Sequence, residues 1–334
     1  MSHRFQHKAG LVIGLLLLLI PLSTQAAMNR PVTEEGKPTE IQVVGAILDV
    51  DKIDSTEQSF TLNFYSVYRW TDPRLAHDGD GSITRAVSDI WNPRLTILNT
   101  QKHWANTNGE AEISPEGVVT YRWHLFGSFS QPMALHNFPH DSHVFRVPIV
   151  AAGYRPDEVR LVPHPQIDSF VAEELSVADW NISNMHGHTR DMTLVNDLTL
   201  PGFVFSFEGK RLVHHYVIKT IIPLSLIVMM SWVVFWINPE MAANRLSVAV
   251  TTVLTLIAFY IALSTQMPKI PYLTNLDKFL SVSTVLVFLA LIEVVITSHL
   301  SGTGRAVAAN RIDYTSRWLF PLLFFSALTY SFFI

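Results

Sequence analysis

Beyond residue 215 the chain turns into four long apolar segments, roughly Tyr216–Ile237, Asn244–Thr265, Phe279–Leu300 and Ser316–Phe333. A helix of ~20 apolar residues crosses the ~30 Å hydrocarbon core of a bilayer while satisfying its own backbone hydrogen bonds. Each segment is therefore expected to be a membrane-crossing helix. Four crossings return the C-terminus to the side on which the first began. Pro223 and Pro321 inside the first and fourth segments are tolerated, because neighbouring helices take up the freed carbonyls. The stretch between the third and fourth segments, about fifteen residues, carries Arg305, Arg311 and the flanking Arg317 against Asp313. Arg245 stands at the first inner turn. These cations place the short loops inside and everything before residue 216 outside.

The N-terminal sequence agrees with export. Residues 1–27 hold Arg4 and Lys8, the apolar run Leu11–Leu22 and then small residues around Ala26-Ala27, the layout of a signal peptide cleaved near Ala27 or Met28. The alternative, an uncleaved anchor, has a short apolar run for a span. The chain contains no cysteine, so its exported part folds without disulfides. Without residues 1–27 there are 22 basic against 28 acidic side chains, a net of −6, which speaks against a nucleic-acid partner. A Gly-rich phosphate loop, a nucleophile elbow and a metal motif beyond isolated histidines are all missing, so neither an enzyme nor a cofactor is expected. His186-Gly187-His188 offers two metal ligands, too few for a strong site.

Residues 28–215 have another texture. Short runs rich in β-branched and aromatic residues, often alternating, are separated by turn-forming clusters: Ile41–Leu48, Phe60–Trp70, Val118–Phe126, Val144–Val150 and Phe203–Phe207. About ten such strands predict an antiparallel β-sandwich, with Phe203, Phe205 and Phe207 on one strand face and one short helix near Arg85–Asp89. The predicted division is thus a signal peptide (1–27), an exported β-sandwich (28–215) and a four-helix membrane domain (216–334).

In the second apolar segment Ser247, Thr251, Leu254, Ala258, Ile261 and Thr265 recur at alternating steps of four and three, which puts all six on one helical stripe. A stripe with hydroxyls at both ends and aliphatics between them suits water and ions. It reads as the lining of a pore. The alternative is that the hydroxyls bond to their own backbone or to neighbouring helices, in a membrane-anchored β-sandwich binding protein whose helices only hold copies together. One striped helix cannot enclose water, so a pore needs a ring of subunits.

An exported β-sandwich followed by four spans, the second striped, resembles the pentameric ligand-gated ion channels, or Cys-loop receptors. Trp70-Thr71-Asp72-Pro73-Arg74-Leu75 is similar to that family's W-x-D-x-R-L strand end, and Ile90-Trp91-Asn92-Pro93 to its W-x-P segment. Phe138-Pro139-His140-Asp141-Ser142-His143 resembles its F-P-x-D-x-Q signature, with His143 in place of Gln. Arg211 precedes Pro223 as the family's pre-membrane arginine does, and Pro268-Lys269-Ile270-Pro271-Tyr272 matches its P-x-x-P-Y linker. The positions of the family disulfide fall at Gln131 and Phe145, which points to a prokaryotic member. Ser231-Trp232-Val233-Val234-Phe235-Trp236 resembles the first span of a bacterial amine-gated channel.

The resemblance implies a homopentamer in a bacterial inner membrane, with the β domain and the C-terminus on the periplasmic side. Its partners would be copies of itself, a small-molecule agonist or protons, permeant monovalent ions and lipids. Ser247 and Thr251 would hydrate ions at the inner end, and Leu254, Ala258 and Ile261 would form an apolar gate that empties of water. Selectivity would rest on Glu240, Ala243 and Asn244, with cations favoured through the acid and an anion channel as the alternative. Coupling would join Asp54 or Glu57, Phe138, Pro139, Asp141 and Arg211 to Lys269 and Pro271, with the acids flanking Arg211. An agonist box between subunits would draw on Tyr65, at the position of a complementary-face aromatic, and on Trp123, Tyr154 and Phe203. An amine cage there is incomplete: Ala152 stands where a phenylalanine belongs. Fourteen histidines, among them His136, His140, His143, His214 and His215, offer a route to pH sensitivity.

Overall fold

The computed structural model describes residues 29–105, 109–264 and 270–333. The strands run β1 (Thr39–Asp54), β2 (Ser59–Thr71), β3 (Ile83–Ala86), β4 (Leu95–Ile97), β5 (Thr100–Ala105), β6 (Glu110–Ile113) and β7 (Val118–Ser130). They continue as β8 (Ser142–Ala151), β9 (Val159–Pro163), β10 (Phe170–Val171), β11 (Trp180–Thr189), β12 (Met192–Thr193), β13 (Thr199–Leu200) and β14 (Gly202–Arg211). Four helices follow: α1 (His214–Trp236), α2 (Ala242–Ser264), α3 (Asn275–Gly302) and α4 (Ala306–Phe333).

An eight-stranded sheet, ordered β10-β1-β2-β7-β6-β3 with β5 also on β7 and β9 also on β1, faces a four-stranded sheet ordered β11-β14-β8-β4. Alternation decides which residues fill the space between them. Phe60 and Phe64 of β2 and Phe129 of β7 point inward from the large sheet, and Phe145, Phe205 and Phe207 from the small one. The Phe60 ring stacks on Phe129 at 5.3 Å and meets Phe145 edge-on at 5.1 Å, and Phe64 meets Phe205 edge-on at 5.1 Å. Such pairs add ~0.5–1.5 kcal/mol each beyond the area they bury. Gly45 belongs to this core for steric reasons, because a β-carbon there would come within 2.6 Å of the Phe205 ring.

The strands are longer and more numerous than the apolar runs suggested. β1 reaches Asp54 and β14 reaches Arg211, since polar residues on the solvent face continue a ladder that hydropathy alone would end. The short helix expected near Arg85–Asp89 is present as a single 3₁₀ turn over Val87–Asp89, while β3 runs up to Ala86 before it.

α1, α2 and α3 are long and apolar enough to cross a membrane. α1 is not uniform. Pro223 cannot donate to the carbonyl four residues back, and the turn just before it, Val217–Ile221, opens to a π turn. α3 starts four residues before Phe279 because Thr274 and Asp277 form a reciprocal capping box, Thr274 Oγ1 accepting from the Asp277 amide and Asp277 Oδ2 from the Thr274 amide. α4 starts ten residues earlier than the apolar segment, and only Thr303, Gly304 and Arg305 separate it from α3. Gly304, at φ +80°, makes that tight turn possible. The expected fifteen-residue loop is thus mostly helix.

Candidate functional site

α2 has two unlike sides. Arg245, Ala249, Thr252, Val253, Leu256 and Leu263 are buried against the other helices. Ser247, Thr251, Leu254, Ala258 and Ile261 are all exposed on the opposite side, Leu254 and Ile261 each at 61%. At 100° per residue the two sets centre about 180° apart. The stripe therefore lies within the broad part of α2 that its own subunit leaves uncovered, together with Leu246, Val250, Thr255, Ile257 and Tyr260. The Thr251 hydroxyl donates to the Ser247 carbonyl at 2.7 Å, which leaves its oxygen lone pairs facing outward. Thr265, the last residue of the predicted stripe, and Lys269 of the linker lie outside the described residues.

At the start of this helix Ala243 and Asn244 are exposed, as is Glu240 just before it, whose amide donates to Asn238 Oδ1 at 3.0 Å. Arg245 does not join them. It is wholly buried, 2.7 Å from Asp313 of α4 and 3.6 Å from Glu293 of α3. The arginine read as an inner-surface cation is instead an internal tie between three helices.

The β part meets the helices at a second charged cluster. Arg211, at the end of β14, is buried and donates from Nε to Asp141 Oδ1 at 2.7 Å and from Nη2 to Oδ2 at 3.1 Å. The same Nη2 donates to Ser55 Oγ at 2.6 Å. The guanidinium lies 4.2 Å from the Trp180 ring centre and 4.9 Å from that of Phe138. The expectation that Asp54 or Glu57 would supply the second acid does not hold. Lys52 Nζ takes Asp54 at 2.6 Å, Asp54 Oδ1 also accepts from the Thr56 and Glu57 amides, and Glu57 is exposed. A neutral hydroxyl completes the cluster, which leaves one arginine matched by one aspartate.

Asp141 also accepts from His143 Nε2 at 2.7 Å. Burial by itself would raise the Asp141 carboxyl, but hydrogen bonds from His143 and Arg211 and their charge hold it below the ordinary carboxylate range. A depressed folded-state value adds stability that is complete above the unfolded value of about 3.9 and is lost as pH falls through the folded value. Asp141→Asn is expected to flatten the acid limb of the unfolding midpoint below about pH 4, measured by thermal shift against wild type.

From this cluster the loop after β7 reaches the helices directly. The Asn275 amide donates to the His136 carbonyl at 3.0 Å and the Leu276 amide to the Phe138 carbonyl at 3.2 Å. The Leu135 amide donates to the Tyr272 hydroxyl at 3.0 Å, and the His136 ring lies flat on the Tyr272 ring at 4.0 Å. Phe138 and Pro139, joined by a cis peptide, are buried here, whereas Pro271 is exposed. Gln131 closes this loop: its amide donates to the Val144 carbonyl and accepts from the Arg146 N–H, each at 2.8 Å. Two hydrogen bonds flank Phe145 at the position where the resembling family has a disulfide.

The four aromatics expected to contribute to an agonist box between subunits lie apart within one chain, so such a box needs a neighbouring copy. Tyr65 is on the outer face of β2, against His124 at 6.1 Å. Trp123 pairs across the ladder with Ser66 and turns to the inner face, 5.2 Å from Tyr68. Tyr154 accepts from Trp91 Nε1 at 2.8 Å and packs on the core. Phe203 is fully buried against Phe205 and Gly187, where a β-carbon would come within 2.5 Å of its ring. Phe203 is thus a core residue and is corrected as a binding residue, because strand alternation points it between the sheets.

Residues 22–199 match the family described as neurotransmitter-gated ion-channel ligand binding domain, and residues 220–306 match the neurotransmitter-gated ion-channel transmembrane region. The chain belongs to the neurotransmitter-gated ion-channel family. Among the relatives of this family member are a gamma-aminobutyric acid receptor subunit beta from Caenorhabditis elegans, 30% identical over 259 residues, 74% of this chain and 46% of that protein, and a gamma-aminobutyric acid receptor subunit beta-4 from Gallus gallus, 29% identical over 275 residues, 79% of this chain and 56% of that protein. The chain spans about half the length of these curated relatives. The β-rich extracellular part and the helical transmembrane region agree with the family.

Proposed function

We propose that five copies of this neurotransmitter-gated channel chain surround a central pore lined by Ser247, Thr251, Leu254, Ala258, Ile261 and Thr265, in a bacterial inner membrane with the β-rich part in the periplasm. Four helices per copy cross the membrane, α4 with its aromatic C-terminal half. One observation carries the reading: the described residues of the stripe, Ser247 to Ile261, lie on the side of α2 that its own subunit leaves uncovered. The closed state is an apolar, dewetted ring of Leu254, Ala258 and Ile261. A stimulus at the extracellular part opens it by rearranging the Arg211–Asp141 cluster against the Tyr272 linker. Small amines and amino acids head the agonist candidates, gamma-aminobutyric acid among them because the relatives' names carry it. Protons are the other class of stimulus.

Cations are the permeant ions in this reading. With Arg245 turned inward and paired, Glu240 is the exposed ionisable group nearest the start of the pore helix, and a ring of such acids concentrates cations. Glu240→Gln is expected to move the reversal potential away from the cation equilibrium potential under an asymmetric salt gradient. The test of the whole reading is voltage clamp on membranes expressing the full chain while pH is stepped and amines and amino acids are applied. A stimulus-evoked current reversing near the cation potential supports it. Reversal at the anion potential overturns the selectivity, and silence from surface-expressed protein overturns the channel.

A further inference from the structure

Where the loop after β7 meets the linker before α3, the His136 and Tyr272 rings lie nearly parallel, with 7° between their planes and 4.0 Å between their centres. Hydrogen bonds fix both partners. The Asn275 amide donates to the His136 carbonyl at 3.0 Å, the Leu135 amide to the Tyr272 hydroxyl at 3.0 Å, and that hydroxyl to the Met133 carbonyl at 3.4 Å. Separating the rings strains the bonds that join the β part to the helices.

The His136 side chain is exposed, and its ring makes no hydrogen bond among the described residues. A proton therefore enters from solvent without displacing a partner, and the charge it brings lies over the face of a phenol. Imidazole gains its charge between about pH 5 and 8. A cation over an aromatic face is attracted by the ring quadrupole.

Among the described residues no charged group of the surrounding elements pairs with this ring. On α3, Asp277 caps the helix through Thr274, and Lys278 Nζ donates to Asn275 Oδ1 at 3.1 Å. On the turn between β1 and β2, which reaches the loop through Gln58 and the Met133 amide, Asp54 is paired with Lys52 and Glu57 is exposed. α1 contributes Tyr216, edge-on to Phe138 at 4.9 Å. On the loop itself Asp141 is held by Arg211 and His143, and His140 is exposed. The Tyr272 face is what a charge on His136 meets first.

We propose that His136 senses protons at this joint, its imidazolium form holding the loop to the linker more tightly than its neutral form. The inference deepens the reading of protons as a stimulus and rests on it for any effect on current. The contact itself is testable without conduction.

The experiment is hydrogen–deuterium exchange of the full chain in nanodiscs at about pH 5.5 and about pH 8, corrected for the intrinsic pH dependence of amide exchange. Peptides containing the Leu135, Asn275 and Leu276 amides, which close the joint, are expected to exchange about threefold more slowly at the acid pH. His136→Gln is expected to abolish the difference, as is Tyr272→Leu, which removes the ring. Tyr272→Phe keeps the ring and is expected to keep the difference at Asn275 and Leu276. Wild-type exchange that does not change with pH overturns the inference. So does a difference that survives His136→Gln and disappears in His143→Gln, which would put the sensor in the Asp141 cluster. Exchange that behaves as expected, with acid steps neither evoking nor altering current, supports the sensor and overturns protons as the stimulus.

Discussion

Arg211→Gln is expected to destabilise the extracellular part by about 3–5 kcal/mol, because removing one member of a buried ion pair leaves the other without compensation. Asp141 would then sit buried with only His143 to balance it, while Ser55 and the Trp180 face lose the guanidinium between them. Arg211→Lys keeps the charge but not the two-pronged contact or the stacking, so its cost falls between wild type and Gln. Ser55→Ala removes one hydrogen bond and costs about 1 kcal/mol. The decisive measurement is a double-mutant cycle on unfolding midpoints. Arg211→Gln combined with Asp141→Asn is expected to recover part of the loss, since both charges disappear together. If the double variant loses the sum of the single losses, the two side chains are uncoupled and the cluster is not the linchpin of the interface. The same variants under voltage clamp separate folding from gating: a coupling role demands reduced agonist sensitivity in protein that still reaches the surface.

Local pattern made much of this architecture legible. Alternation located the long strands, apolar length located α1 to α3, and the steps of four and three in α2 marked the stripe that its own subunit leaves bare. What local pattern missed depends on partners far away in sequence. Asp313 looks like a loop acid until Arg245, 68 residues earlier, is seen to hold it inside the bundle, and with it the first ten residues of α4 become helix. Asp54 looks like the acid for Arg211 until Lys52 claims it two residues away. A hydroxyl such as Ser55 gives no charge signal, so the residue that completes the cluster was invisible.

The aromatics teach the same lesson with the opposite sign. The resemblance makes Phe203 a binding candidate, while alternation puts it on one strand face with Phe205 and Phe207, a face that the structure turns into the core. That burial decides the matter: a side chain between two sheets has no access to a ligand. The start of α3, by contrast, was available from Thr274-x-x-Asp277 alone. In the sequence His136 is one of fourteen histidines. Its place on the Tyr272 ring is set by a loop and a linker far apart in the chain.

Leu254→Thr is expected to produce the largest functional change, a resting leak or a strong gain in agonist sensitivity. The argument turns on the two sides of α2. Leu254 is 61% exposed within its subunit, so in the membrane it meets lipid, other copies or, in the proposed channel, the pore, where a hydroxyl lowers the cost of wetting an apolar ring. Leu256, two residues on and 1% exposed, packs into the helix bundle. Leu256→Thr has nearly the same chemistry but puts its hydroxyl among buried side chains, at a cost of about 1–3 kcal/mol, and is expected to reduce surface expression without opening the pore. A leak in Leu254→Thr and not in Leu256→Thr ties conduction to the stripe rather than to a loosened bundle. Equal leak in both would mean that the bundle, not the stripe, sets the barrier, and wild-type resting conductance and agonist sensitivity in Leu254→Thr would remove this leucine from the gate.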